Sequence, residues 1–245
     1  MCRDDSCNRG GVNMSLKDKL DRLKEGFNSK APQDAQEIMH RATKNLKNSG
    51  IMDHVVKVGD KAPDFTLKNT EGQDLGLHTL LSDGPVVLIF YRGKWWPYCN
   101  LELEALEEVA VQFKEKGAIL VAVSPQLVTY NKAMKEEKNL SFEILSDPGN
   151  QIAEKYGIKY EMPEDLIKVY KQFGLKVDEH NGDDSWTLPM PARLIIDPKG
   201  IIRYAEINPD YTERPEPEDT MAALREINWV RFVQHKSGKI HWPEW

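Results

Sequence analysis

The sequence lacks the features of several large protein classes. Three cysteines, Cys2, Cys7 and Cys99, occur in 245 residues, which is too few for a disulfide-stapled secreted scaffold. The longest apolar runs, at 86–91 and 118–123, are far shorter than the roughly 20 residues that a membrane-spanning helix needs. The N-terminus is acidic and polar where a secretory signal has an apolar segment. We therefore predict a cytoplasmic protein without a membrane partner.

Other absences argue against nucleic acids, nucleotides and metals. The net charge is −6 and the basic residues are spread along the chain, so no nucleic-acid partner is expected. Neither a G-x-G-x-x-G motif nor a phosphate loop is present, so no nucleotide cofactor is implied. The six histidines form no ligand cluster, and Cys2 and Cys7 have a metal-like spacing but no histidine nearby. We expect neither a metal nor any other cofactor.

The most informative segment covers residues 84–106 and reads GPVVLIFYRGKWWPYCNLELEAL. An apolar run typical of a buried strand ends at Tyr91, a short loop follows, and Cys99 then opens an amphipathic helix. The N–H groups at a helix N-terminus act like a partial positive charge, which favours thiolate over thiol. Cys99 is therefore the first candidate nucleophile.

Periodicity along the chain predicts an α/β protein with helices and strands in alternation, which favours a mostly parallel sheet. A helical extension packs on the main domain or serves as a dimerisation arm, and the sequence does not separate these alternatives. The last helix is predicted over 217–232. The predicted organisation is a disordered leader at 1–14, the helical extension at 15–57 with helices at 16–27 and 32–47, the main domain at 58–235 with a partly helical insertion at 161–186, and a tail at 236–245.

The loop WWPYC at 95–99 resembles the W-C-x-x-C active site of the thioredoxin fold, with tryptophan in place of the first cysteine. Around it, RGKWWPYCNLEL is similar to RGxWCPYCNxEL in a peroxiredoxin-like branch of the alkyl hydroperoxide reductase and thiol-specific antioxidant family. Further matches follow in order: VGDKAPDFTL, VAVSPQ, LSDPGNQIAEKYG and PARLIIDPKGIIRYAEINPDY. The resemblance covers most of the chain and implies a thioredoxin-like fold, with a central mixed sheet and helices on both faces.

The resemblance also implies an antioxidant oxidoreductase, a peroxidase of the thioredoxin-dependent type. Cys99 matches the peroxidatic cysteine, whose thiolate attacks the O–O bond of a peroxide and becomes a sulfenic acid. Hydrogen peroxide or an alkyl hydroperoxide is the implied substrate. Catalysis needs donors that stabilise charge on the peroxide oxygens, and the helix start is expected to supply the first of them.

Three positions depart from the pattern P-x-x-x-[TS]-x-x-C of conventional members. Trp96 stands where the hydroxyl is expected, Arg92 replaces the proline, and Pro191 replaces an arginine that steadies the thiolate. Arg193 lies on the same side of a strand as position 191 and could compensate, as could Arg92. Trp96 is expected to narrow the approach of the peroxide.

The missing cysteine at position 96 affects how the enzyme is recycled, because Cys99 alone cannot close a disulfide within its loop. Turnover would then use thioredoxin, glutaredoxin or glutathione, or else Cys2 or Cys7 as the resolving thiol. A homodimer is possible. The alternative function is a catalytically impaired redox sensor or protein-binding module, in which Trp96 blocks peroxide.

Several further residues have competing interpretations. Glu102 could shuttle a proton, or it could complement the helix dipole from the first turn. Pro191 matches the cis-proline that faces the thioredoxin active site, with Pro189 as the competing choice. Trp95 is expected to fill the core, whereas Pro97 and Tyr98 belong to the active-site loop. The mostly acidic run at 213–219 is predicted to be solvated.

Overall fold

The structure is a computed structural model that describes residues 14–227. Cys2, Cys7, the predicted tail at 236–245 and the end of the last predicted helix lie outside the described residues. The α-helices of the described part are α1 (Leu16–Asn28), α2 (Gln33–Lys47), α3 (Leu77–Leu81), α4 (Pro97–Glu108), α5 (Ala110–Glu115), α6 (Val128–Glu137), α7 (Gln151–Lys155), α8 (Glu164–Gln172), α9 (Val177–Asn181) and α10 (Pro217–Glu226), and two 3-10 helices cover Ile51–Asp53 and Pro148–Asn150. The strands are β1 (Thr66–Asn69), β2 (Asp74–Gly76), β3 (Val86–Phe90), β4 (Ile119–Ser124), β5 (Glu143–Ser146), β6 (Lys159–Glu161), β7 (Thr187–Pro189), β8 (Ala192–Ile196) and β9 (Ile202–Ile207).

Seven strands form one sheet in the order β2-β1-β5-β4-β3-β8-β9. Only the central pairs β3/β4 and β4/β5 are parallel, whereas β1/β2, β1/β5, β3/β8 and β8/β9 are antiparallel. The expectation of a mostly parallel sheet is therefore wrong, because a hairpin extends the sheet on each side. The mixed sheet is confirmed. Strands β6 and β7 form a separate antiparallel pair.

Strand β3 is entirely buried, and its alternate side chains enter different cores. Val86, Leu88 and Phe90 belong to a core that includes residues of α3 and α7. Val87 and Ile89 belong to a second core that includes residues of α1, α2, α4 and α8. Helices therefore cover both faces of the sheet. The carboxyl end of β3 leads into the loop that precedes Cys99.

The two N-terminal helices pack on the main domain. Leu16 and Leu20 of α1 and Met39 of α2 are buried in the same core as α4. The Ser15 hydroxyl caps α1 by accepting from the N–H of Asp18 at 3.1 Å. Both helices were predicted from their apolar spacing and are confirmed. This packing places α1 and α2 close to the segment that follows β9.

The predicted insertion at 161–186 is largely helical and contains α8 and α9. Helix α8 packs against α2 and buries Leu166, Val169 and Tyr170. Tyr170 thereby reaches the start of α4, where it contacts Trp96. Over residues 14–227, no helix combines the length and the apolar character needed to cross a bilayer.

Candidate active site

The loop between β3 and α4 has a fixed shape. Gly93 has φ +153°, and a Cβ there would lie only 2.4 Å from Nε1 of Trp95, so a side chain has no room. The N–H of Lys94 donates to Oε1 of Gln126 at 3.0 Å. The Asn100 amide donates to the carbonyl of Lys94 at 3.0 Å. These bonds tie the loop to the end of β4 and to the first turn of α4, which fixes the position of the cysteine.

Cys99 lies in the first turn of α4 and has no exposed surface. Pro97 begins the helix, a position where its missing N–H is not needed. The N–H of Cys99 donates to the carbonyl of Trp96 at 3.0 Å, as does the N–H of Asn100 at 3.2 Å. The expectation that the helix start supplies the first donors is thus wrong for these two groups, since both are already bonded.

The cation beside the thiol is Arg214. Its Nη2 lies 3.8 Å from Sγ of Cys99, and only 2 % of its side chain is exposed. Nε of Arg214 donates to Oε2 of Glu102. Oε1 of the same carboxylate accepts from Nη2 of Arg193 at 2.9 Å, and Nη1 of Arg193 donates to Thr220 at 3.0 Å. Cys99 therefore faces a buried network of two arginines and one glutamate.

The network changes the interpretation of two predicted residues. Glu102 lies beyond the first turn of α4 and accepts from both guanidinium groups, so the interpretation as a first-turn carboxylate is wrong. Arg193 is buried, but it reaches Cys99 only through Glu102 and Arg214. Two arginines and one carboxylate leave a net charge of +1 next to the thiol. A positive charge in a dry site favours an anion there far more than it would in water.

Arg92 points into an aromatic cluster. Its guanidinium carbon lies 4.7 Å from the ring centre of Tyr211, 5.5 Å from that of Tyr160 and 5.6 Å from that of Trp96. Nη1 donates to the hydroxyl of Tyr170 at 3.5 Å. Arg92 thus contacts three aromatic rings, whereas Arg214 is the arginine whose side chain contacts the thiol.

Trp96 is the centre of this aromatic cluster. Its ring stacks on Tyr170 at 5.4 Å and on Tyr98 at 6.0 Å, and meets Tyr211 edge-on at 5.1 Å. Trp95 packs edge-on to Trp96 at 5.5 Å and is only partly buried. Burial, together with the nearby carboxylate of Asp210, raises the pKa of Tyr98 to about 12. The pKa of Tyr170 is also raised, chiefly by burial, so both phenols are protonated at neutral pH.

Pro191 does not follow the expectation of a cis peptide bond. Within residues 14–227 every peptide bond is trans, including those that precede Pro189 and Pro191. The N–H of Met190 donates to the carbonyl of Ile158 at 2.8 Å, and β8 begins at Ala192. The chain therefore runs from β7 to β8 in the trans form, which X–Pro bonds favour by about 0.5–1 kcal/mol.

Three residues of the site were not predicted from the sequence: Arg214, Tyr170 and Tyr211. Arg214 lies in the run at 213–219 that was predicted to be solvated, and its side chain is buried instead. In the same run, the Glu216 carboxylate accepts from the N–H groups of Leu16 and Lys17 at 3.0 and 2.8 Å. The available signal was one arginine among acidic residues, directly after the hairpin β8/β9.

Comparisons with known proteins agree with the fold. Residues 58–205 match the AhpC/TSA family. Peroxiredoxin Q of the chloroplast of Triticum aestivum is 28 % identical over 189 residues, which cover 77 % of this chain and 74 % of that protein. A putative peroxiredoxin bcp of Coxiella burnetii is 35 % identical over 103 residues, or 42 % of this chain and 68 % of that protein. The crystal structure of peroxidoxin BcpB from Mycobacterium tuberculosis superposes with a TM-score of 0.56 at 25 % identity, covering 71 % of this chain and 99 % of that one.

Proposed function

The chain belongs to the AhpC/TSA family and has a peroxiredoxin-like thioredoxin fold, and from this premise we propose that it reduces peroxides through Cys99. The observation that carries the proposal is the contact between Sγ of Cys99 and Nη2 of Arg214 at 3.8 Å. This guanidinium carries the positive charge that contacts the sulfur. During the reaction it also faces the negative charge that develops on the peroxide.

In the proposed step, the Cys99 thiolate attacks one oxygen of the O–O bond. An S–O bond forms, the O–O bond breaks, and the second oxygen leaves as hydroxide or alkoxide, which takes up a proton to give water or an alcohol. Cys99 is oxidised to sulfenic acid and the peroxide is reduced. Glu102 and Arg193 act through Arg214, because they hold its guanidinium beside the sulfur.

Recycling is proposed to use an external thiol. Trp96 occupies the position where a second cysteine would close a disulfide with Cys99. One thiol condenses with the sulfenic acid to release water and form a mixed disulfide, and a second thiol displaces Cys99. Thioredoxin, glutaredoxin or glutathione, which the predicted cytoplasmic location would supply, are the candidate reductants. Cys2 or Cys7 is the alternative.

Mass spectrometry after one equivalent of hydrogen peroxide tests both parts of the proposal. We expect a sulfenic acid on Cys99, in the wild-type protein and in a double variant with Cys2→Ser and Cys7→Ser. Cys99→Ser should remain unmodified. A quantitative crosslink between Cys99 and Cys2 or Cys7 would show that the resolving thiol is internal and not external. Cys99 that stays reduced in excess peroxide would overturn the enzymatic function.

One observation favours a second function, that of a redox-inactive or redox-sensing binding protein. Cys99 has no exposed surface, and Trp96 packs against three tyrosines at the start of its helix. In that case peroxide would not reach the sulfur. Stopped-flow tryptophan fluorescence separates the two functions, because Trp95 and Trp96 flank the cysteine loop. A peroxide-dependent signal that Cys99→Ser abolishes supports the enzyme, and its absence supports the binding protein.

A further inference from the structure

Within residues 14–227, Arg92 is a buried cation that no carboxylate pairs with. Only 2 % of the residue is exposed. Among residues 14–227 no carboxylate forms an ion pair with it, and its Nε has no hydrogen-bond partner. Its side-chain hydrogen bond, from Nη1 to the Tyr170 hydroxyl, is long at 3.5 Å. By contrast, the two other buried arginines, Arg193 and Arg214, share the carboxylate of Glu102.

A guanidinium in this setting favours an anion. An arginine stays charged in proteins, and a buried charge is costly unless it is paired. The rings of Trp96, Tyr160 and Tyr211 offset part of this cost by cation–π attraction. A ring face offers no oxygen to the N–H groups in the guanidinium plane, however. Residues 14–227 therefore leave unused the capacity of Arg92 for a charge-assisted hydrogen bond to a carboxylate.

Arg92 lines a cavity of about 260 Å³ between α2, α8 and the segment after β9. Buried Arg92 and Tyr170 lie at its inner end, whereas exposed Asn45 and Ser49 lie at its outer end. Leu46 and Leu166 are among its apolar walls. The cavity thus combines one buried cation with apolar sides and an opening, as small-molecule sites commonly do.

The only carboxylate that lines this described cavity is Glu161. It is exposed, and no ion pair joins it to Arg92. A ligand that reaches the inner end would therefore meet the cation without competing with a protein carboxylate. The apolar walls argue against a small hydrated anion such as phosphate, because its other oxygens would lose water without gaining partners.

We propose that this cavity binds an organic carboxylate with an apolar body. The carboxylate would accept hydrogen bonds from the Arg92 guanidinium, and the apolar body would lie between Leu46 and Leu166. Binding does not require the reaction of Cys99. Trp96 contacts Arg92, so we expect its fluorescence to change when the cavity is occupied.

Calorimetric titration of the full chain with octanoate tests the proposal, with tryptophan fluorescence as a second readout. Octan-1-ol has the same apolar chain without the charge, and acetate and inorganic phosphate have the charge without the chain. We expect one octanoate per chain, bound at least tenfold more tightly than any of these three. Cys99→Ser should bind octanoate like the wild type, which keeps this test independent of the peroxidase proposal.

Two variants address the site itself. Arg92→Met should lower the affinity for octanoate at least tenfold and leave the affinity for octan-1-ol unchanged. Ala42→Phe retains Arg92 and places a ring in the cavity from α2, so it should abolish the binding of both ligands. Ala222→Phe, on an exposed position of α10, is the matched control and should bind like the wild type. The proposal is overturned if the wild type binds octanoate and octan-1-ol with equal affinity, or if it binds phosphate more tightly than octanoate. It is also overturned if Ala42→Phe still binds octanoate. The Ala42→Phe result tests the site even if Arg92→Met fails to fold.

Discussion

Arg214 and Cys99 are 115 positions apart in the sequence, and the Nη2 of the arginine lies 3.8 Å from the cysteine sulfur. The arginine comes from the irregular segment between β9 and α10, whereas the cysteine comes from the first turn of α4. Glu102, one turn further along α4, binds the same guanidinium. One helix therefore carries both the proposed nucleophile and the carboxylate that binds the arginine beside it.

Arg214→Met should slow the oxidation of Cys99 by hydrogen peroxide about 10²-fold, because it removes the charged donor nearest to the sulfur. Alkylation of Cys99 by iodoacetamide at neutral pH should slow as well, because the positive charge in contact with the sulfur is lost. Stopped-flow fluorescence and mass spectrometry measure the two rates. Arg225→Met, at an exposed position of α10, is the control. Wild-type rates for both reactions in Arg214→Met would refute the assigned role.

Glu102→Gln should destabilise the fold by about 3 kcal/mol or more, because it leaves Arg193 and Arg214 without their shared anion in a buried site. Glu104→Gln on the same helix is the matched control. Glu104 pairs with Lys138 at the surface, so its loss should cost no more than about 1 kcal/mol. Urea denaturation measures both variants. Equal losses in the two variants would contradict a special role for the buried carboxylate.

Trp96→Cys should create a dithiol with Cys99 and confer reduction of insulin disulfides, which the wild type should lack. Trp96→Ala is the control, since it opens the same space without adding a thiol. Both variants remove a ring that contacts three tyrosines, so each should lose about 3–5 kcal/mol of stability. The prediction is contradicted if the alanine variant also reduces insulin, or if neither variant does. Either result would show that the missing thiol at position 96 is not the reason why the wild type lacks this activity.

The local elements of the site were predictable, because short-range patterns define them. The apolar run at 86–91 and the amphipathic stretch after Cys99 predicted the strand and the helix that position this cysteine. The turn at 198–200 likewise gave the hairpin of β8 and β9. Each of these depends on residues a few positions apart, where backbone geometry and side-chain period decide the outcome.

The residues that contact Cys99 and Trp96 were not predictable in the same way. Arg214 lies outside any helix or strand and is surrounded by acidic residues, a composition typical of solvated loops. It is buried because Glu102, more than a hundred positions earlier, accepts its hydrogen bond. The ring contacts of Tyr170 and Tyr211 with Trp96 likewise depend on how α8 and the segment after β9 pack. No period in the sequence encodes such long-range pairings.

Alkaline pH should destabilise the protein through its buried tyrosines. Burial raises the pKa of Tyr98 from 10.0 to about 12, and it also raises the pKa of Tyr170 and of Tyr211. In the unfolded chain these phenols lose their protons near pH 10, whereas in the folded chain they keep them. The folded state therefore binds more protons, so its free energy of unfolding falls as the pH rises from 10 towards 12.

Tyr98→Phe isolates one phenol from the lysines that titrate in the same range. Urea denaturation of the variant and the wild type at several pH values between 10 and 12 gives the comparison. We expect the stability of Tyr98→Phe to fall less steeply with pH, because one proton fewer distinguishes its folded state from its unfolded state. If the stability difference between the two proteins stays constant over this range, Tyr98 titrates alike in the folded and unfolded states. Burial in the aromatic cluster around Trp96 would then not raise the pKa of Tyr98.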